Sequence, residues 1–438
     1  MDSLHLLFFI ILLSTTSTTV TTRPNKTNAL IQTVIKDPIT NIYFTTIDIG
    51  TNITVSLSFV IDISQPYTWL DCFSGYSSSS YTPIDFNSPK CKLLKLTSPL
   101  NVTTPDWLVC YGAGEKVKPG CSDHPCGINP YNPVDNTSRA GTLSEDVMFF
   151  YSIPDGLSFG TRLQSPPLIF ACVGRRSFEG FPLEAQGLLS LSRNALSLPS
   201  QLSSKFALCL PSKTEDSGFG DLFIGGGPYF FPPLRDDASK LFTTVSLITD
   251  KASSDEYFFE VKSIEIDGKA LRLESSILSK LSTVTPFTVM HRSVYKLFVK
   301  EFRGKAKAKK MIEAETVVSP FEVCYKMKKG FKMEDVPVID LTVGSDGGRW
   351  RINGWNSMVV VKEKNVMCLA FVERGGDGEE MMVIGGYQME DNLVEIDLQL
   401  SRLSFTSSLR RHNSSCSRFR PVATNWCPKK KKQLVMGS

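Results

Sequence analysis

The sequence predicts an all-β fold, and two observations carry that prediction. Helical periodicity is confined to three stretches of the 438 residues, and most of the remainder is short β-branched runs cut by Gly, Pro, Ser and Asn. With 42% hydrophobic and 21% charged residues the chain is too apolar for a disordered polymer, and its length suffices for two to three domains.

The elements follow in order. Leu4–Leu13 (LHLLFFIILL) is an apolar run trailed by STTSTTVTT. A membrane helix needs about 20 apolar residues, so this run fits the core of a signal peptide, residues 1–23, with small residues at Ser14–Thr22 for cleavage. No later stretch is apolar enough for an anchor, so no membrane association is expected after cleavage. Asn-x-Ser/Thr sequons begin at Asn25, Asn52, Asn101, Asn136 and Asn413, as on a glycosylated secreted surface. Strands are expected at Asn52–Asp62, Gly141–Tyr151, Leu222–Ile224, Glu260–Ile266, Ser357–Val361 and Met381–Ile384. Helices are expected at Leu198–Lys205, Ser275–Leu281 and Ser293–Lys310, the last with a basic face. The Gly/Asp/Ser-rich loop Lys213–Gly220 marks a boundary, dividing residues 24–212 from 213–416. Residues 417–438 are expected to be a disordered basic tail.

Charge is informative by position. The net +4 comes from 48 basic and 44 acidic residues. Residues 410–438 hold eight of the basic ones and no acidic one, so residues 1–409 carry 40 against 44. The body is slightly acidic, and nothing calls for nucleic acid. Eleven cysteines leave at least one unpaired, with Cys427 in the tail the candidate. Cys121-x-x-His124-x-Cys126 lacks a second ligand pair, so disulfides are expected there rather than zinc, and no metal or cofactor is expected. The histidines are His5, His124, His291 and His412, and no Gly-x-Ser-x-Gly elbow accompanies them. Gly225-Gly226-Gly227 lacks the Lys-Ser/Thr of a phosphate loop.

A faint repetition links the halves. Phe59–Leu70 (FVIDISQPYTWL) is matched by Leu281–Met290 (LSTVTPFTVM). Each is followed, more than a hundred residues on, by an apolar pair beside Gly: Gly187-Leu188-Leu189 and Val383-Ile384-Gly385.

These residues carry a resemblance. DISQPYTWLDC (Asp62–Cys72) resembles the first catalytic loop of plant pepsin-like aspartic proteases, Asp-Thr-Gly-Ser-x-x-x-Trp-x-x-Cys. FACVG (170–174), QGLLSLSRNALSLPSQLSSKFALCL (186–210), EYFFEVKSIEIDGKAL (256–271), NVMCLAFV (365–372) and IGGYQMEDNLVEIDLQLSRLSF (384–405) follow in the same order. The chain is most similar to the branch of extracellular dermal glycoproteins, xylanase and xyloglucan endoglucanase inhibitors and basic globulins. The resemblance implies a bilobal pepsin-like fold of two pseudo-symmetric β lobes with few short helices. The tail past Cys416 has no counterpart in that branch.

Aspartic protease chemistry needs two carboxylates sharing one proton, because two like charges that close cannot both ionise. Asp62 stands at the first position, but the second loop reads Ser282-Thr283-Val284, and Ser282 can neither hold the charge nor accept the proton. Ile63 replaces a hydroxyl residue, and Ser64 and Val284 replace glycines that permit close backbone approach. Ser190 stands where a glycine is expected after Gly187-Leu188-Leu189. A preorganised site does not survive the four changes in the two loops, at Ile63, Ser64, Ser282 and Val284. A non-enzyme is therefore expected, with an active aspartic endopeptidase and a seed storage or peptide-binding globulin as alternatives.

In the resembling branch, loops plug the clefts of microbial glycoside hydrolases, which hold a pair of carboxylates. The implied inhibitory loop is Arg410, Arg411 and His412, just before Cys416. A second contact loop is implied at Lys307, Lys309 and Lys310. The resemblance also implies pairing of Cys324 with Cys368 and a cross-lobe pair of Cys172 with Cys416. The implied partner is a secreted microbial xylanase or xyloglucan endoglucanase. The implied location is the apoplast or cell wall. The sequence leaves the oligomeric state open.

Overall fold

The computed structural model describes residues 29–52, 54–97, 124–157, 159–212, 218–248, 255–344, 347–375 and 381–418. The leader, Asn25, Asn101, Cys427 and the tail beyond Arg418 lie outside them. Among the described residues, the backbone forms one 16-stranded sheet, one 8-stranded sheet and two smaller ones, with few short helices. The all-β, bilobal reading is correct.

The repetition seen in the sequence is a repeated piece of topology. In the first half, strand Val55–Asp62 runs parallel to Ala185–Ser190, which is antiparallel to Trp69–Asp71, which is parallel to Leu168–Val173. In the second half, Ile277–Leu281 runs parallel to Met381–Ile384, which is antiparallel to Thr288–Met290, which is parallel to Phe371–Glu373. The glycines of the two motifs sit where strands cross closely. A Cβ on Gly187 would lie 2.4 Å from the Phe59 ring, and one on Gly385 would lie 2.5 Å from the Phe287 carbonyl carbon. Only glycine allows these approaches.

Four strands join the halves: Leu393–Asp397, Lys205–Cys209, Gly220–Ile224 and Ala29–Lys36 lie side by side in that order. The loop placed as a boundary thus connects two paired strands of the sheet that ties the halves together. One apolar core runs continuously from Val34 and Phe59 through Phe206 and Tyr257 to Trp350 and Phe405. Trp69, from the resembling loop, packs in a second cluster, 5.0 Å from Phe178 and 5.8 Å from Phe181 between ring centroids.

Two of the three expected helices are present, at Leu198–Leu202 and Arg292–Ala308. The longer one buries Val294, Tyr295, Phe298, Val299, Phe302 and Ala306, a stripe at three- and four-residue spacing, and keeps its lysines outward. Lys305 and Lys307 in its last turn complement the helix dipole. The third expectation is corrected: Ile277–Leu281 is a strand whose side chains alternate buried and half-buried. Its five residues satisfy their backbone groups by pairing with Met381–Ile384 and Phe258–Ile266, which a helix there would leave unpaired.

The expected cross-lobe disulfide is also corrected. Cys172 bonds Cys72, Cys416 bonds Cys209, and Cys91 bonds Cys126, while Cys324–Cys368 forms as expected. The parallel pairing puts Cys172 opposite Leu70, so Cys72 at the strand's end reaches it with Cα atoms 5.3 Å apart.

Candidate functional site

Asp62 ends its strand fully buried, opposite Ser190. Its Oδ1 accepts the Ser64 backbone N–H at 2.7 Å and the Ser64 hydroxyl at 2.6 Å. Among the described residues its Oδ2 has no hydrogen-bond partner. Burial pushes the carboxyl above its ordinary value of 3.8, against the lowering pull of the Ser64 hydrogen bonds. Ser64, where a glycine was expected, is thus the turn residue that holds the acid.

Ser282 follows directly on strand Ile277–Leu281, in the place that Asp62 takes at the end of its own strand. It is buried, its backbone N–H donates to the Ile384 carbonyl, and its hydroxyl accepts the Thr285 N–H at 3.1 Å. The two loops meet through a residue that sequence reasoning passed over. The Thr283 hydroxyl donates to the Ile61 carbonyl at 2.6 Å, across 222 residues of chain. Ile63, next to Asp62 in the first loop, has no hydroxyl to return the bond and lines a small apolar cavity with Phe206, Leu281, Met389 and Ile396. The Ser190 hydroxyl donates to the Gln65 carbonyl, and its N–H donates to Thr68 Oγ1, so this serine closes the same loop.

The turn before Cys416 has another character. Leu409 is buried and its N–H donates to the Asp391 carbonyl at 2.7 Å. The Ser414 hydroxyl donates to the Phe231 or Pro232 carbonyl, each at 2.9 Å, and Cys416 is bonded to Cys209. Between these stakes Arg411, His412 and Asn413 are exposed, with Asn413 in the left-handed region at φ 55°.

Arg410 does not share that freedom. Its Nε donates to the fully buried Asp391, its Nη2 donates to Ser212, and its guanidinium lies 6.0 Å from the Trp355 ring centre. Arg410, which the resemblance implies for the inhibitory loop, thus holds its side chain against a buried carboxylate while staying partly exposed. Asp391, Ser212 and Trp355 lie far from Arg410 in sequence, so no local signal marked them.

The implied second contact loop lies at the end of the Arg292–Ala308 helix. Lys307 and Lys310 are exposed there, while Lys309 pairs with Asp267 at 3.4 Å. A short helix, Gly354–Ser357, packs close to both regions. A Cβ on Gly354 would lie 2.0 Å from the Met333 carbonyl oxygen, and the Trp355 indole N–H donates to Ser408. Of the sequons, Asn52, Asn136 and Asn413 are exposed. Among the described residues, no group of His, Cys, Asp and Glu could hold a metal ion, and no helix is long and apolar enough to cross a membrane.

Comparison with known proteins agrees over the whole described fold. Residues 43–226 match the family described as xylanase inhibitor N-terminal, and residues 256–407 match xylanase inhibitor C-terminal. The chain is 33% identical to a probable aspartic proteinase GIP2 of Nicotiana benthamiana, covering 94% of this chain and 97% of that protein. It is also 33% identical to gamma conglutin 1 of Prunus dulcis, covering 94% and 96%. The crystal structure of edgp superposes with a TM-score of 0.81 at 32% identity, covering 90% of this chain and 98% of that one. Two lobes of matching topology and both modules in order have one reading: the chain belongs to the plant pepsin-like family of xylanase inhibitors, gamma conglutins and basic globulins.

Proposed function

We propose that this is a secreted, catalytically inactive pepsin-like protein that binds and inhibits a microbial glycoside hydrolase, a xylanase or xyloglucan endoglucanase. The observation that carries the reading is the staked turn that leaves Arg411 and His412 exposed. A cation held on a preorganised turn loses little conformational entropy on entering a cleft, and gains charge-assisted hydrogen bonds from the enzyme's carboxylate pair. Inactivity rests on Ser282: a lone carboxyl has no partner to separate acid and base roles. The Oδ2 of Asp62 has no hydrogen-bond partner among the described residues, and burial raises the proton affinity of the carboxyl.

The test is titration of the glycosylated protein against xylanases and xyloglucan endoglucanases. Inhibition by the native protein is expected, weakened at least about tenfold when Arg411 and His412 are both changed to alanine, since each lost charged hydrogen bond costs about 1.5–3 kcal/mol. Asn413→Gln separates the glycan's contribution from that of the side chains. Absence of inhibition against every enzyme at micromolar protein sinks the proposal. The gamma conglutin and basic 7S globulin names among the relatives favour a second reading, a seed globulin without an enzyme target. Abundant seed accumulation without glycosidase binding would support that one.

A further inference from the structure

We propose that the depression at the C-terminal end of the Arg292–Ala308 helix binds an acidic glycan, a run of uronic-acid sugars. The depression shares Lys309 and Lys310 with the implied second contact loop, but the proposal does not rest on the inhibition reading. The depression has a volume of about 340 Å³, with Met311 and Phe331 among its apolar lining, Lys309, Lys310, Lys326 and Lys328 as cations, and Glu334 and Asp335 as acids. Lys309 pairs with Asp267 at 3.4 Å, whereas among the described residues Lys310, Lys326 and Lys328 have no carboxylate partner; Lys328 donates to the Lys310 carbonyl at 2.8 Å. The same two segments also carry Lys307, Lys329 and Lys332, so the local field is strongly positive on a body that is slightly acidic overall.

The backbone here is tied by hydrogen bonds and a disulfide. The Met311 N–H closes the helix on Ala306, the Lys326 N–H donates to the Ile312 carbonyl at 2.8 Å, and the strand Cys324–Lys326 is fastened by the Cys324–Cys368 bond. The residue set is selective. Ammonium groups match the carboxylates of uronic acids, apolar surface matches the C–H face of a pyranose, and Glu334 can accept sugar hydroxyls. A sulfated or phosphorylated polyanion finds the same lysines, but its denser negative charge meets more repulsion from Glu334 and Asp335 than one carboxylate per sugar does. The segment commits to a uronide over a nucleic acid or a sulfated chain on that ground.

The experiment measures binding of the full-length glycosylated protein to galacturonate oligomers by calorimetry. Parallel runs use their methyl esters, a neutral cello-oligosaccharide, heparin and duplex DNA. Binding to the free acid is expected, weakening as salt rises and lost with the methyl ester and the neutral sugar. Lys326→Gln with Lys328→Gln should weaken it by about two- to thirtyfold, the loss of two exposed ion pairs. Glu334→Gln removes one repulsive charge and should strengthen heparin more than the uronide. A variant with Lys429–Lys432 all changed to Gln controls for the tail and should bind normally. Equal affinity for the methyl ester, no effect of the double lysine change in a variant with an unaltered melting curve, or loss caused by the tail variant would each overturn the proposal. So would DNA or heparin binding more tightly than the uronide. No readout involves a glycosidase, so failure here and failure of the inhibition reading are separable.

Discussion

Adjacent arginines at 410 and 411 have opposite fates, and only neighbours distant in the chain separate them. Arg410 compensates Asp391, which is fully buried and also receives the Cys416 backbone N–H at 3.0 Å. Arg411 points outward. Removing one partner of a buried pair typically costs about 3–5 kcal/mol, and Arg410 is 34% exposed, so Arg410→Ala should cost about 2–3 kcal/mol. Arg411→Ala should change stability by no more than about 0.5 kcal/mol. Urea unfolding of the two variants side by side checks this, and equal effects would contradict the assignment. The sequence showed two basic residues before a cysteine. It could not show that a carboxylate 19 positions upstream would claim one of them.

Elements differ in how far local pattern decided them. The Arg292–Ala308 helix was legible because its buried stripe keeps helical spacing over 17 residues. Ile277–Leu281 misled because five residues carry too short a pattern to outweigh partners from distant segments. Disulfides show the same division. Cys209–Cys416 closes 207 residues and Cys324–Cys368 closes 44. Loop entropy assigns about 5 kcal/mol to the longer closure and about 4 to the shorter. Serine replacement of Cys209 and Cys416 should therefore destabilise the oxidised protein by about 1 kcal/mol more than replacement of the other pair, as read by denaturant midpoints. The longer bridge also anchors the Leu409–His412 turn, so its removal should raise proteolytic sensitivity there.

At the scale of the molecule, buried acids set how stability depends on pH. Burial raises the proton affinity of Asp62 and Asp221, and that of Glu390 despite its pairing with Lys36 at 2.6 Å. The folded state therefore holds these protons more tightly than the unfolded chain. That contribution is complete in acid and declines as pH rises above the ordinary values of 3.8 and 4.5. Melting temperatures should fall from weakly acidic to neutral pH. Asp62→Asn keeps an acceptor for Ser64 and removes one buried charge, so it should flatten the fall and raise the neutral-pH melting temperature. A variant less stable than the native protein at neutral pH would refute the burial argument.

The sequence by itself determined the β class and the two-fold repetition, which are written in composition and spacing and do not depend on what packs against them. The pairing of Cys324 with Cys368 was implied by the family resemblance and is present in the structure. Tertiary structure alone decided which arginine is free, that Thr283 ties its loop to Ile61, how Cys72, Cys172, Cys209 and Cys416 pair, and that lysines from two segments border one depression. Each of those facts is a contact between segments tens to hundreds of residues apart. Such contacts arise from burial and strand register, and no local window of sequence contains them.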